Sequence, residues 1–153
     1  MQVNTHPDSS SKEQTTAMTL VFNYEKVNNP EKAPFIPVHV SAKDGSMMIV
    51  RALIDSGADN IVMPKIIADV LGIESKELSK SEGIGGVVEV MKSKITATIK
   101  GETESHTLQL PIMVLKKDEG TVPMLLGRKG FFDHFHITFK HNHETIILEK
   151  TDF

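Results

Sequence analysis

The sequence predicts a small all-β protein, a closed barrel with little helix. Three observations carry that expectation. Long stretches alternate apolar with polar residues, as at Val88 and Val90, Ile95 to Ile99, and Leu108 to Val114. Such a period of two marks strands with one face in a core and the other in water. Turn residues, among them Asn29-Pro30, Asp44-Gly45 and Gly101, divide these stretches, and helical periodicity is confined to the residues after Pro64 and after Gly127.

Residues 1–17 carry Ser9-Ser10-Ser11 and scarcely an apolar side chain, so they are expected to form a flexible tail. Residues 18–153 read as one domain. Met18 to Tyr24 is a first strand, closed by Asn28-Asn29-Pro30. Phe35 to Val40 is a second, with Ile36, Val38 and Val40 on one face and Phe35, Pro37 and His39 on the other. Pro37 has no amide to donate, which predicts an edge position. Asp44-Gly45 signals a hairpin to Met47 to Ile54, where Met47 and Met48 are read as strand packing. Ile61-Val62-Met63 is a short buried run. Pro64 then suits the first turn of a helix whose apolar positions are Ile66, Ile67, Val70 and Leu71, with Gly72 as its stop. Gly83 to Gly86 reads as a projecting hairpin tip, and Lys116-Lys117-Asp118-Glu119 as a solvated loop. Phe131, Phe132 and Phe135 stand at helical spacing, and Ile137 to Phe139 with Ile146 to Leu148 suggests a last hairpin.

Composition narrows the function. The chain has 153 residues, 39% hydrophobic and 24% charged, which fits a single core of ordinary size. Twenty acidic against 17 basic residues leave a net charge of -3, with no general attraction to phosphate backbones or anionic lipid. Neither a nucleic acid nor a membrane is expected as partner. Cysteine is absent, which removes disulfide and thiolate chemistry. No apolar run approaches the ~20 residues that span a bilayer, and the opening lacks the apolar centre of a signal peptide; a cytoplasmic location is the expectation. His134, His136, His141 and His143 raise the question of a metal. Asn142 between two of them reads as a hairpin turn, and no cysteine accompanies them, so no metal is expected.

The chemistry is concentrated in Ala52-Leu53-Ile54-Asp55-Ser56-Gly57-Ala58-Asp59, where an apolar run delivers one carboxylate to a turn built of small residues. Two distant stretches accompany it, Glu82-Gly83-Ile84-Gly85-Gly86 and Met124-Leu125-Leu126-Gly127-Arg128. Together, and in this order, they resemble the catalytic loop, glycine-rich flap and hydrophobic-hydrophobic-Gly-Arg turn of the retroviral-type aspartic proteases, the retropepsins. The resemblance spans roughly Phe35 to Asp133. Greater length, Ser56 in place of the commoner Thr, and the helix after Pro64 make the chain look more like a cellular or bacterial relative than a viral one.

Hydrolysis at an aspartic site needs two carboxylates sharing one proton, one acting as base on a water and the other as acid. Only one Asp-Ser-Gly is present. The resemblance therefore implies a homodimer in which a twofold axis sets Asp55 beside its copy, acting on a peptide or protein substrate without a cofactor. It further implies that Ser56 interlocks the two loops, that Gly57 and Asp59 meet the substrate backbone, and that Ala58 leaves room for its approach. Asn60 falls at a specificity position. Gly83, Ile84, Gly85 and Gly86 would form the flap that closes over substrate, and Leu125 would help to line the cleft. Leu126, Gly127 and Arg128 would support the loop, with Arg128 pairing Asp59. The alternative is a protease-like domain retained for dimerisation or peptide binding with little catalysis.

Overall fold

The computed structural model describes residues 19–74, 77–83, 86–117 and 122–152. Ten strands and one α-helix follow in chain order: β1 (Thr19–Asn23), β2 (Phe35–Ser41), β3 (Met47–Ile54), β4 (Val62–Met63), α1 (Lys65–Leu71), β5 (Glu77–Gly83), β6 (Gly86–Lys100), β7 (Ser105–Leu115), β8 (Met124–Leu126), β9 (Phe135–Lys140) and β10 (Thr145–Lys150). Six of them close a barrel in the order β2-β3-β8-β4-β7-β6, with β6 returning to pair with β2 at His39 and Val40. Closure leaves no long free edge inside the barrel. The all-β expectation holds.

Alternation explains the barrel wall. Ile36, Val38 and Val40 are fully buried while Pro37 and His39 are half-exposed, and Ile95, Ala97 and Ile99 face Leu108, Leu110 and Ile112 in the same core. The Ile54 N–H donates to Pro34 O at 3.0 Å, so in this antiparallel register the hydrogen-bonded positions of β2 are the even ones. Pro37 thus turns its missing amide away from β3, toward the side that β6 reaches only at His39 and Val40. The proline occupies a local edge of a strand that is otherwise paired on both sides.

β5 and β6 form a long antiparallel hairpin from Glu77–Lys92 to Gly83–Gly86. Its second arm was legible in the alternation, but its first, Glu-Leu-Ser-Lys-Ser-Glu-Gly, is too polar to read as a strand. The tip residues Ile84 and Gly85 lie outside the described residues, as do the expected tail, Met18, Asp118 and Glu119.

Three details correct the sequence reading. Helix α1 buries Ala68 and Leu71, whereas Ile66 and Val70 are 63% and 68% exposed. The seven-residue helix has two apolar stripes and can bury only one, and the Lys43 N–H bond to Leu71 O ties its C-terminus to the β2–β3 hairpin. Gly72 ends it as expected, at φ +70, where a side chain would be strained. Met48 packs on the core but Met47 is exposed. The aromatic segment after Gly127 is only a five-residue turn, Arg128–Phe132, broken at Lys129 and Gly130. Phe135 starts β9 instead of extending a helix, and all three aromatics still meet: Phe131 lies 5.2 Å from Phe135 and 6.2 Å from Phe132, ring to ring.

The last hairpin turns through His141–His143 and, together with β1, makes a separate three-stranded sheet in the order β1-β10-β9. Leu20, Ile146, Leu148 and Phe135 from that sheet join the core of the barrel.

Candidate active site

Strands β3 and β4 both pair with β8, β3 in parallel at Ala52–Met124 through Ile54–Leu126 and β4 at Val62–Leu125. The chain that leaves β3 must therefore pass over the end of β8 to return on its other side. That crossing carries Asp55, Ser56, Gly57, Ala58, Asp59 and Asn60.

Backbone bonds hold the crossing. The Asp55 N–H donates to Leu126 O at 3.1 Å, the Ala58 N–H to Asp55 O at 3.2 Å, the Arg128 N–H to Ala58 O at 2.9 Å and the Lys129 N–H to Asp59 O at 2.8 Å. Within the turn, the Gly57 N–H donates to Asp55 Oδ1 at 2.9 Å, which restrains the carboxylate's orientation. A Cβ on residue 57 would stand 3.2 Å from that same oxygen. Asp55 itself is half-buried, and Ser56 and Gly57 are exposed at the rim.

Gly127 is where the two layers touch. A Cβ there would lie 2.1 Å from Asn60 O and 2.7 Å from Ala58 O, so only glycine lets the end of β8 run directly beneath the loop. Its neighbour Arg128 pairs through Nη2 with Asp59 Oδ1. The side chains of that pair are 59% and 71% exposed, so it clamps the loop weakly compared with the backbone bonds.

Of the residues singled out in the sequence, Asp55 to Asn60 and Leu125 to Arg128 converge on this crossing. Leu125 is half-buried between Leu53 and Val62, while Leu126 is fully buried and serves as an anchor. Gly83 and Gly86 pair at the end of the β5–β6 hairpin, with Gly86 at φ +106. Sequence reasoning missed Lys129, whose amide holds Asp59; only its place after Arg128 could have signalled it. The four histidines form no metal-binding group among the described residues.

Residues 38–129, from β2 to the turn after β8, match the family model described as Aspartyl protease, which is more than half of the chain. The chain belongs to the aspartyl protease family. The fold is that of the retropepsin-like members. It is similar to a retropepsin-like aspartic protease from Rickettsia conorii at TM-score 0.57 and 13% identity, covering 88% of this chain and 94% of that one. The retroviral protease-like domain of Ddi1 from Leishmania major gives TM-score 0.49 and 17% identity, covering 79% and 90%. EIAV protease complexed with the inhibitor HBY-793 gives 0.47 and 24%, covering 67% and 88%. No curated protein matches the chain. No helix among the described residues is long and apolar enough to cross a membrane.

Proposed function

We propose that this aspartyl protease is a homodimeric endopeptidase that cleaves peptide bonds with Asp55 of each subunit. The observation that carries the reading is the single Asp-Ser-Gly crossing, which presents one half-buried carboxylate with one oxygen held by the Gly57 N–H. One carboxylate cannot be base and acid in the same step, and a twofold axis supplies the second without further design. In the dyad a deprotonated Asp55 takes a proton from water as the water oxygen attacks the scissile carbonyl carbon. The protonated Asp55 of the partner subunit gives its proton to the carbonyl oxygen. Collapse of the tetrahedral intermediate breaks the C–N bond, with the proton held by the first carboxyl passing to the leaving nitrogen and one hydroxyl proton of the intermediate returning to the partner's carboxylate. Ser56, Gly57, Ala58, Asp59 and Asn60 surround the reacting group, and the β5–β6 hairpin supplies a flap over it.

The test incubates wild type and Asp55→Asn with a diverse peptide library and reads cleavage by mass spectrometry from acidic to neutral pH. Cleavage by wild type alone is expected. Mixed dimers of the two chains should be inactive, and a mixed dimer with most of the wild-type rate would rule out the shared dyad. An intact, dimeric wild type that cuts nothing would favour the peptide-binding alternative.

A further inference from the structure

Beside the active-site crossing, and not part of it, lies a groove of about 810 Å³. Its walls are the β2–β3 hairpin at Lys43, the residues after α1 at Ile73 and Glu74, the β6 segment Lys92–Thr96 and the β7 residues Pro111–Met113; one end is closed by Asn60 and Lys129. The volume falls within the ~300–1,000 Å³ of ligand sites. Ile73, Ile95 and Ile112 give it an apolar floor. Its rim is basic: among the described residues, Lys43, Lys92, Lys94 and Lys129 line it with one acid, Glu74.

Lys43 pairs with Glu74, but Lys92, Lys94 and Lys129 have no ion-pair partner among the described residues, and all three are exposed. This concentration of positive charge occurs in a chain whose net charge is -3, so it is local and opposes the molecule's overall field. Among the described residues no aromatic lines the groove, so they offer no stacking surface of the kind that single-stranded nucleic acids use. Extended peptide fits better, with carboxylates on the rim and apolar side chains on the floor.

We propose that this groove binds an acidic segment of the protein substrate, outside the residues being cut. Asn60 belongs both to the crossing that carries Asp55 and to the groove's end, and Lys92 and Lys94 sit on the β6 arm that continues into the flap. An occupant would therefore touch the catalytic loop and the base of the flap together. That it is substrate rests on the proteolytic reading above; the binding itself does not.

The test uses Asp55→Asn protein and a fluorescein-labelled oligoglutamate peptide, read by anisotropy. Binding that weakens between about 0.05 and about 0.5 M NaCl is expected. Replacing Lys92, Lys94 and Lys129 together by Gln should weaken it roughly tenfold, since exposed ion pairs contribute little each and add. The same loss of charge at Lys26, Lys117 and Lys140 should leave it unchanged. Equal weakening in both triple variants, or none in the first, would overturn the groove, as would tighter binding of an oligothymidylate of matched charge. In catalytically intact protein, replacing Lys92 and Lys94 alone by Gln should raise KM for a substrate with an acidic extension and not for the same substrate without it. In wild type, peptide binding with no cleavage of either substrate would overturn the proteolytic reading and the substrate assignment together, whereas normal cleavage with no peptide binding would overturn the groove alone.

Discussion

A methyl group at position 127 has nowhere to go. Its nearest neighbours are backbone oxygens of Ala58 and Asn60, and Ala58 O is already held by the Arg128 N–H. Gly127→Ala should therefore cost roughly 3 kcal/mol, the upper range for overpacking a fixed site, and a urea unfolding midpoint equal to that of wild type would show that the crossing can shift freely. The Asp59–Arg128 pair behaves differently, because its side chains are mostly in water while the adjacent amides do the holding. A double-mutant cycle on Asp59→Asn and Arg128→Lys should return a coupling under about 1 kcal/mol. A coupling of several kcal/mol would mean that the pair is buried in the working assembly.

At the scale of elements, the joint between the barrel and the three-stranded sheet carries a pH dependence. His106 on β7 meets the Phe135 ring of β9 edge-on at 5.9 Å. Burial holds its pKa below the ordinary 6.5, and the like charges of Lys150 and His134 add to that. His39 on β2 is lowered in the same way, by burial and then by Lys100 and Arg51. The unfolded chain thus takes up these protons more readily than the folded one, so the stability they contribute is full above the unfolded value and is lost as pH falls below it. Thermal unfolding followed from about pH 7.5 to about pH 5 should show a smaller loss in His106→Gln than in wild type; an identical slope in the variant would remove His106 from the account. Helix α1 illustrates a different limit at this scale. Its apolar residues lie on two stripes, and docking of Leu71 and Gly72 against the β2–β3 hairpin decides which stripe is covered.

Considered whole, the molecule closes its own terminal sheet: β1 pairs with β10 from Thr19–Glu149 to Asn23–Thr145 within one chain. Leu20 in that strand is 2% exposed, and its Cδ2 fills the space beside Gly101. The pairing needs no partner subunit. Hydrogen exchange in β1 and β10 should therefore stay equally protected when the protein is diluted until any dimer dissociates, and protection that disappears on dilution would mean that these strands are exchanged between chains.

The sequence by itself determined the long alternating strands, because a period of two survives in any context that buries one face, and it marked the Asp55 loop, because Asp55-Ser56-Gly57 is contiguous. It also marked Arg128 as a partner of Asp59, which the structure places in contact. Only the tertiary structure decided the rest. The path over β8 that makes Gly127 indispensable arises from strands distant in sequence, so no local pattern announces it. The polar strand β5 forms through pairing with β6, against its own composition. The lysine groove gathers Lys43, the β6 pair Lys92 and Lys94, and Lys129 from three separate stretches of chain, and because charge acts through space and not along the chain, their proximity exists only once the barrel has closed.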